Sequence, residues 1–483
     1  MQEPYLILPF NFRRRGDHVL ITNDIGEYHF LSNYDFKKFV NMQLERSCEL
    51  FLDLESKFFV CKEFNEALLG HYSTRYRTKK RFLFESTSLH MMVVTHRCNQ
   101  KCLYCHASAA SDDSSVEIDM GPEVVEGIID AIFESPSSYV KIEFQGGEPL
   151  LNFDAVKHAV RYAEEVVPNG RDVGFVICTN LTMLSDEQIE FINEHDIEIS
   201  TSLDGPEALH NSCRLTKCGY GTYQSVVDGV NRLRHGGVDR VAALLTIHKG
   251  NVHRLKDVVD EYVARGFKSI FLRSMNPYGY AYENKNELSY SVETFLDAYI
   301  DAIRYIIEIN RGGVDFAEEY ASILLSRILT PFSCGFVDLQ SPAGAAICGM
   351  VYETNGDVFV SDEARMLCRM TGERNFFLGN VLEDSRQEWF VSEKLYDILK
   401  DSVIESLPGC AWCAYSPYCG TDPVRNFFEL GRRISIKPKD HQCQKNKAVF
   451  DFLMELLRSD DSFVVDLCWA WACRRPLGDV VVE

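Results

Sequence analysis

An α/β architecture, with an open partial (β/α)6 barrel of the TIM type at its centre, is predicted by three features of the sequence. Six apolar, β-branched runs (LHMMVVTH, VKIEFQ, VGFVICT, IEISTSL, RVAALLTI and SIFLRS) alternate with helix-like segments between about residues 86 and 330. Strands separated by helices return parallel to one another, so six such units specify a parallel sheet with crossovers rather than a set of hairpins. The rhythm breaks on both sides: a small α+β module precedes it, and a loop-rich, Cys-rich region follows.

In chain order, residues 1–85 read as a compact module. DHVLITN, GEYHFL and KFFVCKE are strand-like, YDFKKFVNMQL is a helix between the second and third, and RYRTKKRF reads as a solvated charged connector. Residues 86–330 form the barrel, with GPEVVEGIIDAIFE, SDEQIEFINEH and VHRLKDVVDEYVARG among its helices. Residues 331–450 lack long periodic segments and form a Cys-rich domain. The amphipathic run KNKAVFDFLMELLRS leads into a tail over 451–483.

Composition narrows the function. The 483 residues carry 50 Lys and Arg against 71 Asp and Glu, a net charge of −21, which argues against nucleic acid or an anionic membrane as partner. The 46% apolar and 12% aromatic content excludes a disordered chain. No apolar stretch approaches a membrane span, and MQEPYLILPF lacks a basic n-region, so a cytoplasmic location is expected. Seventeen Cys is an odd and high number for such a chain. In a reducing compartment, clustered thiols point to metal or catalysis rather than to disulfides.

The first cluster is THRCNQKCLYCHAS, which spaces Cys98, Cys102 and Cys105 as C-x3-C-x2-C directly after the first barrel strand. Loops at strand C-terminal ends build barrel active sites. Three thiolates on one loop can hold three irons of a 4Fe–4S cluster and leave the fourth iron open. A structural zinc loop is the alternative, with His96 or His106 as fourth ligand.

CNQKCLYC, with Tyr104 before the third Cys, resembles the signature of the radical SAM superfamily. Gly146, Gly147, Glu148 and Pro149 end the second strand, like the family loop that holds the methionine amino group of S-adenosyl-L-methionine (SAM). Thr179 and Asn180 end the third strand. Ser202 and Asp204 end the fourth, where the family contacts ribose and methionine. Arg214, in HNSCRLTKCGYGTY, matches the Arg that pairs with the methionine carboxylate, a task suited to guanidinium. The plain alternative for each is a capping or turn residue. The resemblance implies a 4Fe–4S cluster, SAM, an external electron donor, and hydrogen abstraction by a 5′-deoxyadenosyl radical.

Cys410, Cys413 and Cys419, followed by Cys443, resemble the SPASM auxiliary-cluster domain of peptide-modifying radical SAM enzymes, in which four such Cys hold one further 4Fe–4S cluster. A zinc ribbon is the alternative. Two Cys of the standard domain's other auxiliary cluster are replaced, by Ser361 and Pro423. Cys334, Cys348 and Cys368 remain nearby, as ligands of a rearranged cluster or as buried thiols. Asp362 stands where the sulfatase-maturing relatives have a proposed base, though a solvated turn is an equal reading. Cys48, Cys61, Cys178, Cys213, Cys218, Cys468 and Cys473 show no ligand spacing and read as packing.

LILPFNF followed by GDHVLITNDIGEYHFLS is similar to the first radical SAM maturase of His-Xaa-Ser repeat peptide systems. That likeness implies a precursor peptide and a second radical SAM maturase as partners. It also implies a leader-binding N-terminal module, for which a plain cap on the barrel is the alternative. The expected outcome is an oxidative crosslink or related C–H functionalisation of the precursor. A non-catalytic iron–sulfur scaffold or delivery partner is the rival reading, disfavoured by the intact Cys trio, GGEP and Arg214.

Overall fold

In the computed structural model, which describes residues 4–107, 109 and 118–480, fifteen strands form three sheets. Strands β1 (Leu6–Ile7) and β5 (Val60–Cys61) pair with each other; β2 (Asn11–Arg15), β3 (His18–Thr22) and β4 (Tyr28–Ser32) form an antiparallel sheet with β3 in the middle. The central sheet is ten-stranded. It runs through β6 (Leu89–Thr95), β7 (Tyr139–Gly146), β8 (Asp172–Cys178), β9 (Glu198–Ser202), β10 (Val241–Ile247), β11 (Ser269–Ser274) and β12 (Ala317–Glu318) in sequential parallel order. On the other side of β6 lies β13 (Gly349–Tyr352), parallel to it, then β14 (Asp357–Phe359) and β15 (Phe377–Asn380), both antiparallel to their neighbours.

The six anticipated strands are thus β6 to β11, and the alternation of strand and helix has the physical origin expected of it. Helix Pro122–Phe133 starts with Pro, which needs no hydrogen-bond partner there, and buries Val125, Ile128, Ile129 and Ile132, one stripe of a 3.6-residue repeat. Helix Asp186–Glu194 is closed by a capping box between Ser185 and Gln188. Each stripe packs on strands whose inward residues, among them Met92, Phe144, Ile177 and Ile199, are buried. Full burial of one such side chain is worth about 1.5–3 kcal/mol, so changing Ile129 to Ala costs about 2–5 kcal/mol.

Two features depart from the sequence reading. RYRTKKRF is not a connector: most of it belongs to helix Glu66–Lys79, capped by Asn65, and Lys79 is buried with its Nζ donating to the Arg327 carbonyl at 3.1 Å. Its helical tendency comes from long straight-chain residues, and without an apolar stripe the period gives no signal. The Cys-rich region contributes β13–β15 to the barrel sheet, covering what would otherwise be an open edge at β6. Helix His441–Leu457 takes in most of the amphipathic run KNKAVFDFLMELLRS, and the tail beyond it holds a further helix, Ser462–Cys473. Cys468 is buried in that last helix. No helix among the described residues is long and apolar enough to cross a membrane.

Candidate active site

The C-terminal ends of the central strands surround a cavity of about 260 Å³, and described residues of the segment after β6, from Cys98 to Ala107, line it as well. Cys98, Cys102 and Cys105 all line it. Burial pushes the thiols of Cys98 and Cys102 up to about 12, so these sulfurs carry charge only against bound metal, which deprotonates a thiol outright. Among the described residues no three His, Cys, Asp or Glu side chains converge tightly enough for a single metal ion. A lone zinc would need its sulfurs all within about 2.3 Å of one point. Three thiols on one loop, within electrostatic reach of one another, match the three-ligand set of a 4Fe–4S cluster.

Two glycines bring the loop onto the sheet. A side chain on Gly146, whose φ is +145°, would meet the Thr95 carbonyl oxygen at 2.1 Å, and one on Gly147 would meet that of Arg97 at the same distance. Their absence lets the Gly147 N–H bond to Thr95 O (2.9 Å) and the Glu148 N–H to Arg97 O (2.7 Å), which fixes the Cys loop to the end of β7. Gly146 and Gly147 line the cavity.

Glu148 and Pro149 are set back from the cavity lining. The Glu148 carboxylate is buried and accepts from Thr179 Oγ1 (2.6 Å), the Asn180 N–H (2.8 Å) and the Leu150 N–H (3.1 Å). Its oxygens tie β7 to the end of β8 and thereby place Asn180, which does face the cavity. Burial raises the Glu148 pKa, partly offset by these three donors.

Asp204 is likewise set back from the cavity lining. It is fully buried behind the cavity wall, and its carboxylate accepts from the Tyr104 hydroxyl, from Arg214 Nε at 3.0 Å and from the Thr246 N–H at 3.2 Å. Burial works against its charge, but Arg214, His210 and these donors outweigh it and hold the pKa below the ordinary range. The guanidinium of Arg214 also lies 5.2 Å from the Tyr104 ring centroid. Tyr104, Arg214 and Ser202 face the cavity; Asp204 positions the first two.

Asp362 is not on a solvated turn. It begins helix Asp362–Thr371, and it lines the cavity while Arg365 Nε (2.8 Å) and Nη2 (2.6 Å) both hold its Oδ1. His106 Nε2 lies 4.0 Å away. Arg365 continues to Glu353 (3.4 Å), and Glu353 meets His96 Nε2 at 2.8 Å, next to the Cys loop. Burial would raise the Glu353 pKa, but Arg365 and His96 overcome it and hold it at about 2.

Away from this cavity, the thiols of Cys410, Cys413, Cys419 and Cys443 lie within electrostatic reach of one another, and burial lifts Cys410 to about 12. Asp440 caps the helix that bears Cys443 by accepting the Cys443 N–H (3.0 Å). Ser361 and Pro423 serve helix starts: the Ser361 hydroxyl accepts the Ala364 N–H (3.3 Å), and Pro423 is the first residue of helix Pro423–Leu430. Cys334 and Cys348 are neighbours beside Arg327, whereas Cys368 sits among Arg374, Asp357 and Glu353. These three cysteines are not brought together.

Several cavity residues were missed by the sequence reading. Glu143, Gln145, Cys178, Ser200, Thr201 and Arg273 all line it, and the Cys178 thiol donates to Glu143 Oε1 at 3.3 Å. Polar residues at the C-terminal ends of otherwise apolar barrel strands were the available signal. Thr201 Oγ1 and Gln100 Nε2, both buried cavity walls, have no protein partner. Three thiols, two wall glycines, a held Arg and two unsatisfied polar groups fit a cluster with a polar ligand bound beside it.

Comparison with known proteins agrees. Residues 92–262 match the radical SAM superfamily. The cysteine-type anaerobic sulfatase-maturating enzyme of Clostridium perfringens (strain 13) is 25% identical over 327 residues, 65% of this chain and 83% of that protein. The solved structure of native anSMEcpe with bound AdoMet has a TM-score of 0.63 at 19% identity, covering 79% of this chain and 99% of its own. Streptococcus suis SuiB bound to precursor peptide SuiA has a TM-score of 0.55 at 14% identity, covering 91% and 100%. Together with the Cys trio lining the cavity, these matches make the chain a radical SAM enzyme related to the anaerobic sulfatase-maturating enzymes.

Proposed function

We propose that this enzyme modifies a ribosomally made precursor peptide of the His-Xaa-Ser repeat type, through C–H functionalisation such as an oxidative crosslink. The observation that carries the reading is the reaction cavity, where the thiols of Cys98, Cys102 and Cys105 share walls with Arg214, Asn180, Ser202 and Asp362. The likeness to SuiB, solved with a precursor peptide, supports a peptide substrate. The first turns of the N-terminal sequence support the narrower class.

When bound, the cluster and SAM supply a 5′-deoxyadenosyl radical. The chain's own groups then have distinct tasks. Arg214, held by Asp204, offers a fixed guanidinium for a carboxylate, and Tyr104 packs against it. Glu148 fixes the strand ends, so Asn180 stays aimed at the ligand. Asp362, oriented by Arg365, is the carboxylate placed to take a proton from an oxidised substrate. The edge strands of the N-terminal sheet offer backbone groups to which a leader peptide can add as a strand.

Cys410, Cys413, Cys419 and Cys443 would hold one auxiliary 4Fe–4S cluster. A second is not part of the proposal. Asp422 and Glu363, beside the two replaced positions, line a cleft with Asp338, Arg273, Arg425 and Lys445, and none of Cys334, Cys348 and Cys368 lines it. Co-expression with a His-Xaa-Ser repeat precursor, followed by mass spectrometry, tests the function: loss of two hydrogens is expected for a crosslink. An unmodified precursor together with vigorous SAM cleavage would refute the peptide class, and absence of SAM cleavage would favour the scaffold reading.

A further inference from the structure

The segment between Cys413 and Cys419 is bound along its length by the N-terminal sheet. Thr22, fully buried at the end of β3, donates its hydroxyl to the Ala414 carbonyl at 2.7 Å. Asn11 Nδ2 reaches Ser416 Oγ at 3.4 Å, and the Gly26 carbonyl accepts the Tyr418 hydroxyl at 3.0 Å. Arg13, on β2, donates from Nε to Asp451 at 2.6 Å, and the Tyr415 hydroxyl donates to the same carboxylate. Arg15 approaches it at 3.1 Å. Asp451 lies two turns beyond Cys443 on helix His441–Leu457, which also presents Asn446 Nδ2 to Cys419 Sγ at 3.7 Å.

The loop with three thiols and the helix with the fourth therefore share a third support, more than 380 residues earlier in the chain. A four-thiol site needs only its own loop and helix. Here the backbone between the second and third thiols is fixed by a side chain of β3, and the loop is joined to the helix through the Arg13–Asp451–Tyr415 triangle.

We propose that Thr22 and Arg13 are positioning residues for the auxiliary cluster: the N-terminal sheet clamps the Cys410–Cys419 loop against the helix bearing Cys443. This rests on the reading of those four thiols as a cluster site. The residues act through Ala414 and Asp451 and do not touch the cluster. Removing the Thr22 donor leaves a buried carbonyl unsatisfied, so the loop opens roughly tenfold more often. A precursor leader that engages the N-terminal sheet would bear directly on this clamp.

The test uses the full chain, reconstituted anaerobically with iron and sulfide. Thr22→Val keeps the shape and removes the donor; Arg13→Gln removes the guanidinium; Arg13→Lys keeps the charge. Iron release to a ferrous chelator is followed in time, with electron paramagnetic resonance of the cluster that remains. One pool of about four irons is expected to leave roughly tenfold faster in Thr22→Val and Arg13→Gln, the other pool being unchanged, with Arg13→Lys restoring part of the retention. Wild-type release rates and an unaltered resonance in both variants would overturn the clamp. A wild type that holds only about four irons, unaffected by Cys413→Ala, would instead overturn the cluster reading. Should Thr22→Val fail to fold, Arg13→Gln decides, since its side chain is 27% exposed at the sheet edge.

Discussion

Replacing Asp204 by asparagine removes one negative charge from the active site and leaves its shape. The carboxylate is fully buried and carries Arg214, the Tyr104 hydroxyl and the Thr246 N–H together. A surface ion pair would be worth less than about 1 kcal/mol, and breaking a fully buried one costs about 3–5 kcal/mol. Arg214 is 11% exposed toward the cavity, so water there discounts the larger figure to about 2–3 kcal/mol. That cost falls on the folded state, and SAM affinity should fall as well, because Arg214 is no longer held in place for the carboxylate. Anaerobic equilibrium dialysis of Asp204→Asn, Arg214→Met and the double variant measures it. Because Asp204 acts through Arg214, the double variant should bind no worse than Arg214→Met alone. Additive losses would refute this and restore a direct contact between Asp204 and the cofactor.

Glu148→Gln should lower thermal stability by about 2 kcal/mol, because one amide oxygen cannot serve all three donors that the buried carboxylate now satisfies; an unchanged melting curve would contradict its clamping role. Glu353, held at about 2 instead of 4.5, contributes about 3 kcal/mol above pH 4.5 that is lost progressively as pH falls toward 2. Acid unfolding of Glu353→Gln should therefore show a shallower slope across that window, and an identical slope would place the effect elsewhere. Iron analysis of the wild type should give about eight irons per chain, unchanged in Cys348→Ala; about twelve, falling to about eight, would establish a third cluster.

How far the sequence spoke depended on the kind of signal each element carries. Strands β6–β11 announce themselves because a buried parallel strand is a continuous apolar run between amphipathic helices. The Cys trio is legible because ligands of one cluster on one loop must be close in sequence. The motif marks where Glu148 and Asp204 sit, but several of the donors to their carboxylates are far away in the chain, among them Thr179, 31 positions from Glu148, and Tyr104, 100 positions from Asp204. Cys178 read as packing because its strand is apolar, whereas the barrel aims it at Glu143. Helix Glu66–Lys79 escaped notice because its partners are polar and nonlocal, as the Lys79 bond to Arg327 shows.

Reductive cleavage of SAM by the reconstituted protein tests the central claim most directly. With dithionite as reductant, the wild type should produce 5′-deoxyadenosine, and Cys102→Ala should produce none, because two thiolates do not hold a cluster that needs three. Full 5′-deoxyadenosine production by Cys102→Ala, or none by a wild type shown to retain its iron, would contradict it.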